Sequence, residues 1–485
     1  MSSLKNYMVE GYLPTIGIEC HVQLKTKTKL FARVDNDARK AAPNTLVSHI
    51  CFGMPGALPV LNEEVINLAS RAAFALGTKP SKFSKFDRKN YFYPDLPKGY
   101  QITQFDEPII LGGSVEIEID GKTEKVGITR AHLEEDAGKS SHPTGRDYSL
   151  VDLNRAGTPL LEIVSEPDMH TSDQAKAYAK ELYLRMRYAD VSDANLFYGN
   201  MRFDVNVSVS KSDELGTRTE TKNLNSFKAV QGAVDYEIQR QIEILEKGGV
   251  IIQETRGWED ATQKTFSQRS KEEAHDYRYF PEPDLPPVVL TQEYIDEIQK
   301  TMPTMPDKIR DDLADLSLDS STISTIVDHI PAGRFMEVVI SETDKRAIKK
   351  IANWLAVDVQ GLVGEQKANW DDMTLDCEAF NKLAKMVDGN EISSTGAKIV
   401  IEQLIGNGGD PLTIAKERDL LQVSDESEIE EIVQGVLDAN KQAADDVKNG
   451  EMKAIGFLVG QVMKESKGKA NPQLAQKLIK KILGS

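Results

Sequence analysis

Acidic side chains and a histidine with a spacing suited to cation binding occur near the start of this chain. Glu19 and His21 alternate with apolar residues, so on a β-strand both would project from one face, about 7 Å apart. That separation suits two ligands of one cation. Taken alone, however, a Glu-x-His pair is a weak signal for a metal site.

A second candidate is the run of three acids at residues 134–136, which follows His132. Consecutive carboxylates repel one another unless solvent, a counter-charge or a cation neutralises them. An exposed acidic turn is the alternative interpretation. Periodicity does not decide whether Glu134 or Glu135 points inward.

The third candidate, Glu162, interrupts an apolar run at residues 160–164 that is otherwise typical of a buried strand. An unpaired carboxylate is costly to bury, so the pattern predicts a cation or another partner for Glu162. A structural ion pair with an arginine is the alternative.

The chemistry of these candidates favours a hard divalent cation, because carboxylates predominate among them. Mg²⁺ is the first choice, and Mn²⁺ or an indirect role for His21 stays open. The sequence contains no phosphate-binding Gly-x4-Gly-Lys-Ser/Thr loop, no dinucleotide glycine fingerprint and no His-x3-His zinc motif. No nucleophile of the Ser-His-Asp or Cys-His type is recognisable either.

Residues 86–105 combine aromatic side chains with the cations Arg88, Lys89 and Lys98, and they show no amphipathic period. An aromatic-walled loop that presents cations to a polyanion has this composition. An ordinary surface loop is the alternative.

The elements that must position these residues are strands and helices up to about residue 290 and helices beyond it. The patterns predict strands over 15–25 and 203–209, a hairpin at Asp120-Gly121, and helices after Asn62, from Thr171 to Tyr188 and from Ser226 to Gly248. Four prolines at residues 281–287 predict a linker or domain edge, and the glycines at 406–409 predict a second boundary. No strand pattern follows the proline-rich segment.

Charge and composition narrow the class of protein. The 485 residues carry a net charge of −17, which argues against indiscriminate nucleic-acid binding over the whole surface. Residues 452–485, however, hold seven lysines and one glutamate, a pattern open to either a solvated helix face or a phosphate-binding patch. Three widely spaced cysteines and the absence of a targeting or membrane-spanning stretch predict a cytoplasmic protein that does not enter a membrane.

A series of motifs in fixed order resembles one known family, the B subunits of the bacterial-type aspartyl/glutamyl-tRNA amidotransferase. The resemblance runs from about Tyr12 to the C-terminus. It rests on IGIECHVQL, MPGALPVLN, KFDRKNYFYPD, HLEEDAGK, DLNRAGTPLLEIVSEPD, KNLNSF, DYRYFPEPD and GFLVGQVMK. Where some members carry a Cys-x2-Cys pair of a zinc knuckle, this chain has Ser48 and Cys51, so no structural zinc is expected.

The resemblance implies an α+β fold in three parts. These are a β-rich cradle domain with the kinase and transamidase site at residues 1–290, an all-α helical domain at 291–408, and an all-α YqeY-type tail that binds tRNA at 409–485.

The resemblance also implies an enzyme and its partners. ATP would phosphorylate the side-chain carboxylate of Glu-tRNA(Gln) or Asp-tRNA(Asn) with Mg²⁺ as cofactor, and ammonia would then displace phosphate. An amidase A subunit would supply the ammonia from glutamine, and a small C subunit would complete a heterotrimer.

By the same resemblance, the cation ligands would be Glu19, His21, Glu135 and Glu162, with Glu134 as a less certain fifth. Lys89 would neutralise phosphate at the catalytic centre. Glu135 would also count among the catalytic residues, and we expect Arg88 to contribute there or to pair structurally. Asp204 and Asn206 share a strand face in the predicted strand, and we place them at the rim of this site. Together with Lys89 they are the predicted nucleotide-binding residues.

Two competing functions remain compatible with the residues alone. A non-catalytic tRNA-binding scaffold would use its acids only in ion pairs, but it has no reason to bury Glu162. A stand-alone metal-dependent ligase would have to release ammonia from glutamine by itself, and no nucleophile for that reaction is visible.

Overall fold

The first strand follows the predicted alternation. In β1 (Leu13–Gln23) the even-numbered residues are buried in the core, whereas Glu19 and His21 on the other face are half-buried. One face of this strand therefore belongs to the hydrophobic core, and the other is available to a polar site.

The computed structural model describes residues 4–212, 214–270, 276–422, 426–448, 451, 453–466 and 470–484. The chain divides into two units, residues 1–305 and 306–485.

The first unit is built on a mixed sheet. The strands of this unit are β1 (Leu13–Gln23), β2 (Phe83–Ser84), β3 (Asp87–Asn90), β4 (Tyr100–Thr103), β5 (Ile110–Leu111), β6 (Ser114–Ile119), β7 (Lys122–Glu135), β8 (Lys139–Ser141), β9 (Leu150–Asp152), β10 (Pro159–Ser165), β11 (Met201–Ser210), β12 (Thr219–Leu224), β13 (Glu254–Glu259), β14 (Lys264–Ser270), β15 (Phe280–Pro281) and β16 (Val288–Val289). Strand β2 pairs with β16 and β8 pairs with β9 in two separate small sheets. Within the described residues the main sheet runs β14-β13-β12-β11-β1-β10-β7-β4-β3-β15, and β5 and β6 pair with β7. The pairs are antiparallel apart from β12–β13.

Helices cover the apolar face of this sheet. They are α1 (Glu63–Ala75), α2 (Ser172–Tyr188), α3 (Phe227–Glu246) and α4 (Gln292–Lys300), with short 3₁₀ helices at Leu4–Tyr7 and Leu153–Arg155. The predicted helix starts are confirmed: Asn62 caps α1, Thr171 and Gln174 form the capping box of α2, and Ser226 caps α3. The predicted hairpin joins β6 to β7, with positive φ at both Asp120 (50°) and Gly121 (73°), as a type I′ turn requires.

The second unit is helical in its described part, as predicted. Its elements are α5 (Pro306–Ala314), α6 (Ser320–Asp328), α7 (Ile330–Glu342), α8 (Lys345–Asn353), a π-helix (Trp354–Val359), α9 (Gln360–Gly364), a 3₁₀ helix (Trp370–Asp372), α10 (Cys377–Asp388), α11 (Ser394–Asn407), α12 (Pro411–Glu417), α13 (Glu426–Ala439), α14 (Lys441–Lys448), α15 (Lys453–Glu465) and α16 (Pro472–Leu483). Helices α13 to α16 share a hydrophobic core formed by residues between Ile429 and Ile479.

The chain after the proline-rich segment at residues 281–287 differs in one respect from the prediction. The expectation that no strand follows the proline-rich segment is wrong for Val288 and Val289, which pair with Ser84 and Phe83 of β2. A two-residue strand is too short to show a period. The overall α+β class is confirmed, whereas the three-part division at residues 290 and 408 stays a prediction. No helix in the described part of the chain is long and apolar enough to cross a bilayer.

Candidate active site

Three neighbouring strands carry the predicted acids and histidine onto one face of the sheet. In the antiparallel register, His21 of β1 lies opposite Glu162 of β10, and Glu162 lies opposite His132 of β7. Glu134 is two residues beyond His132, so its side chain emerges on the same face. Strand pairing thus brings together residues separated by more than a hundred positions in sequence.

The four side chains form a compact cluster, which we call the carboxylate–histidine cluster (His21, His132, Glu134 and Glu162). The Nε2 atom of His21 lies 3.3 Å from Glu162 Oε2 and 3.8 Å from Glu134 Oε1. His132 Nε2 lies 3.6 Å from Glu162 Oε2 and 3.9 Å from Glu134 Oε2. One ligand atom each from His21, Glu134 and Glu162 lie within 4.8 Å of one another.

Burial and mutual repulsion shape the electrostatics of this cluster. Burial and then the charge of Glu162 raise the pKa of Glu134. Burial acts to raise the pKa of Glu162 as well, but the hydrogen bond from His21 and the nearby positive charges hold it well below its usual range. Burial lowers the pKa of His132 to about 4. For His21 the effect of burial is outweighed by Glu162, and its pKa is raised.

The donor set fits a divalent cation. The buried carboxylate of Glu134 and the half-buried carboxylate of Glu162 converge with imidazole nitrogens. The buried Nδ1 atoms of His21 and His132 have no hydrogen-bond partner among the described residues. Carboxylate oxygens are ligands that Mg²⁺ and Mn²⁺ prefer, and the imidazoles suit Mn²⁺ better than Mg²⁺. A cation would also relieve the repulsion between Glu134 and Glu162.

The structure does not bring Glu135 to this cluster, although the family resemblance implied it as a ligand. Glu135 lies on the opposite face of β7, where its carboxylate pairs with Lys98 and accepts a hydrogen bond from the Ile102 amide at 2.9 Å. Glu134, the less certain candidate, is the one that faces His21 and Glu162.

Glu19, Asp204 and Asn206 lie beside the cluster. Glu19 accepts a hydrogen bond from Asn206 Nδ2 at 3.2 Å, and its pKa is raised by burial and then by Glu162. Asp204 lies opposite Glu19 in the register of β1 and β11, and it pairs with Lys222 at 3.4 Å. The predicted common face of Asp204 and Asn206 is thus next to the cluster, but neither residue belongs to it.

Arg88 and Lys89 project from opposite faces of β3. Arg88 makes a bidentate ion pair with Glu282, with Nε and Nη2 at 2.7 and 2.9 Å from its oxygens. Lys89 lies on the side of the cluster. Burial acts to lower the pKa of Lys89, but Glu134 and other neighbours outweigh that effect, and its pKa is raised. Lys89 therefore keeps its positive charge near the carboxylates.

A cavity of about 840 Å³ opens on the same sheet face. Gln23, two residues along β1 from His21, lines it, as does Arg202, which lies directly opposite His21 in the register. Other cationic lining residues are Lys25, Arg39, Lys139 and Arg155. Its volume is in the range of pockets that hold a nucleotide-sized ligand.

Sequence reasoning overlooked three groups that the structure assembles around this site. His132 lies two residues before Glu134, so a strand that turns Glu134 toward the site must turn His132 toward it as well. Lys222 and the tyrosines at 277 and 279 reach the site from distant segments, and no periodicity signals them.

Comparison with known families covers both units. Residues 14–296 match the GatB/GatE catalytic domain, and residues 334–483 match the GatB domain.

Whole-chain relatives agree with these matches. A protein of Thermoanaerobacter pseudethanolicus, named as the B subunit of aspartyl/glutamyl-tRNA(Asn/Gln) amidotransferase, is 47% identical over 475 residues, which cover 97% of this chain and 99% of that protein. Proteins with the same name from Carboxydothermus hydrogenoformans and Brevibacillus brevis are 45% and 43% identical, over 97% and 98% of this chain and 98% and 99% of their own lengths. Since the catalytic-domain match spans more than half of the sequence and these relatives align over nearly all of it, the chain belongs to the family of the B subunits of aspartyl/glutamyl-tRNA(Asn/Gln) amidotransferases.

Proposed function

We propose that this chain carries out ATP-dependent activation and amidation of the side-chain carboxylate of Glu-tRNA(Gln) or Asp-tRNA(Asn), as the B subunit of an amidotransferase made of several chains. The observation that carries the proposal is the convergence of His21, Glu134 and Glu162 within 4.8 Å, with the charged Lys89 nearby. Family membership supplies the reaction class, and this cluster supplies a site for it.

The chemistry requires two displacements. A carboxylate is a poor acyl donor, so one of its oxygens first attacks the γ-phosphorus of ATP and ADP leaves. Ammonia then attacks the carbonyl carbon of the acyl phosphate, loses a proton, and inorganic phosphate leaves. Phosphoryl transfer of this kind depends mainly on positioning and on charge neutralisation.

The residues of the cluster would hold the divalent cation, with His21, Glu134 and Glu162 as ligands and Glu19 beside them. When bound, Mg²⁺ or Mn²⁺ would neutralise phosphate oxygens during the transfer. Lys89 contributes a second positive charge, because its raised pKa keeps it protonated at neutral pH. In this proposal Glu135 supports the fold through Lys98, and Asp204 and Asn206 orient the rim of the site through Lys222 and Glu19.

The aminoacyl end of the tRNA enters the 840 Å³ cavity in this proposal. Its arginines can contact phosphate and carboxylate oxygens, and its lining residues Gln23 and Arg202 adjoin the cluster. A substrate carboxylate beside Gln23 and Arg202 would face the phosphoryl donor.

Partners and the helical tail complete the proposal. An amidase A subunit would supply ammonia from glutamine, a small C subunit would brace the assembly, and the basic C-terminal helices would contact tRNA phosphates. The relatives are named as a B subunit, which supports an assembly of several chains. Exposed Lys477 and Lys481, four residues apart on α16, support a phosphate-contacting face.

The test is reconstitution of the full chain with candidate A and C subunits, followed by amidation of each charged tRNA with glutamine or free ammonium. Glu162→Gln removes the charge but keeps the shape of the side chain. We expect amidation to fall by about 100-fold or more, since charge neutralisation of this kind contributes several kcal/mol. The matched control is Glu118→Gln, the same change on the exposed face of β6.

Two outcomes would contradict the proposal. Full activity of the Glu162→Gln complex would reduce the cluster to a structural ion pair and rule it out as the reaction site. Amidation with glutamine by this chain without an A subunit would favour a stand-alone ligase.

A further inference from the structure

The segment of residues 277–284, which we call the strap, lies directly against β3. It includes β15, where Phe280 and Pro281 pair with Arg88 and Asp87. Two backbone hydrogen bonds extend the pairing, from Asn90 N to Tyr277 O at 3.0 Å and from Glu282 N to Phe86 O at 2.9 Å. The strap therefore follows the whole of β3.

Arg88 and Asn90, the neighbours of Lys89 in sequence, hold the strap in place through their side chains. Arg88 holds Glu282, whose side chain has no exposed surface, through the bidentate ion pair, and its guanidinium lies 4.2 Å from the Tyr100 ring centroid. Asn90 Nδ2 donates to the Arg278 carbonyl at 2.8 Å. A buried bidentate pair fixes geometry, and removing one partner leaves an uncompensated charge.

The fastened strap presents Tyr277 to Lys89, and Tyr91 lies near the same ammonium. The Lys89 ammonium lies 4.8 Å from the centroid of the Tyr277 ring and 5.9 Å from that of Tyr91. Tyr279 packs 6.1 Å from Tyr277 and stacks on Phe105 at 4.0 Å, which holds it in place. We call Tyr91, Tyr277 and Tyr279 the tyrosine cluster.

The tyrosine cluster orients Lys89 without neutralising it. Among the described residues Lys89 makes no ion pair with a carboxylate, and Glu134 and Glu162 act on it from further away. A carboxylate in contact would compete with phosphate for the ammonium. A ring face attracts the ammonium but carries no net charge, so the full charge stays available to an anion.

We propose that the strap is a positioning device for Lys89: Arg88 and Asn90 anchor it, and Tyr277 aims the Lys89 ammonium at the phosphoryl group. Arg88 is then a positioning residue that acts through Glu282, not a group that contacts substrate. The inference rests on the proposed function, because it takes the phosphoryl group as the target of Lys89.

The first test compares Tyr277→Leu with Tyr277→Phe in the reconstituted complex. Loss of the ring face in Tyr277→Leu should lower kcat for ATP-dependent amidation by about 3- to 30-fold, with the Kd for tRNA unchanged. Tyr277→Phe keeps the ring and should stay within about 2-fold of wild type. Tyr148→Leu, at an exposed tyrosine outside the site, is the control.

The second test is a double-mutant cycle with Lys89→Gln under single-turnover conditions. If Tyr277 acts through Lys89, Tyr277→Leu should cause no further loss in the Lys89→Gln background, whereas a general structural role would give multiplicative losses. Arg88→Lys keeps the positive charge but cannot form the bidentate pair with Glu282, so it should behave like Tyr277→Leu in the same cycle.

The outcomes separate this inference from the proposed function. Multiplicative losses, or an unchanged kcat for Tyr277→Leu, would overturn the positioning role while Lys89→Gln stays impaired. Wild-type activity of Lys89→Gln itself would instead overturn the proposed role of Lys89 at the phosphoryl group.

Discussion

Neutralising Glu134 and neutralising Glu135 should have opposite consequences, although the two residues are adjacent, buried and chemically identical. Glu134 faces His21 and Glu162, whereas Glu135 pairs with Lys98 on the other side of β7. Glu134→Gln should therefore weaken divalent-cation binding and amidation. Glu135→Gln should leave cation binding intact and destabilise the fold.

The magnitude for Glu134 follows from its charge and burial. A carboxylate and a divalent cation about 4 Å apart attract by about 8 kcal/mol at an effective dielectric constant of ~20. The amide oxygen of Gln remains a neutral ligand and retains part of that attraction. A net loss of about 2–4 kcal/mol remains, which lowers the cation affinity by about 30- to 900-fold.

For Glu135→Gln the expected change is in the free energy of unfolding. Gln at this position can still accept the hydrogen bond from the Ile102 amide, but the Lys98 ammonium, whose side chain is 10% exposed, loses its counter-charge. Breaking a buried pair from one side costs about 3–5 kcal/mol. The cation affinity should stay within about 3-fold of wild type.

The assay is calorimetric titration of the purified chain with Mn²⁺ and Mg²⁺, with thermal unfolding measured in parallel. Glu118→Gln serves as the control for a lost surface charge. If Glu135→Gln abolished cation binding and Glu134→Gln retained it, the assignment of the two faces of β7 would be refuted.

The remaining predictions concern stability and tRNA. Glu237 accepts a hydrogen bond from Arg240 at 2.7 Å, forms an ion pair with Arg256 at 3.0 Å and has no exposed side-chain surface. Glu237→Gln should therefore cost about 3–5 kcal/mol in unfolding free energy at neutral pH. Burial acts to raise the pKa of Glu237, but Arg240 outweighs it and lowers the pKa below 4.5. The difference in unfolding free energy between wild type and Glu237→Gln should therefore have its full size above pH 4.5 and disappear as the pH falls through the lowered pKa of Glu237 in the folded state. A difference that persisted in thermal unfolding at acidic pH would contradict this. Replacing both Lys477 and Lys481 by Glu should reduce the slope of log affinity for tRNA against log salt by about 1.4–1.8, whereas an unchanged slope in filter binding would exclude α16 from the contact.

Local features of the chain follow directly from short-range sequence signals. The alternation around Glu19 and His21, the cap at Asn62 and the Asp120-Gly121 turn each depend on neighbours within a few residues. The structure confirms them because the period of a strand and the hydrogen bonding of a cap are local properties.

The choice between Glu134 and Glu135 shows where local signals stop. Residues 131–135 of β7 are all buried, since the sheet is covered on both faces at that point. Apolar and polar residues alternate along a strand only where one of its faces is exposed to water. The sequence of a fully buried segment therefore does not show which of its residues share a face. The same limit applies to Arg88 and Lys89, whose different surroundings depend on Glu282 and Tyr277, almost two hundred residues away.

The family, the α+β class and the residue types available for a cation and a phosphate group could all be predicted from the amino-acid order. Only the folded chain shows which of those residues lie close together. The strand register places His132 and Glu134 beside His21 and Glu162. The strap places Tyr277 beside Lys89. Side-chain convergence depends on the pairing of distant strands, and neither composition nor periodicity encodes that register in a readable form.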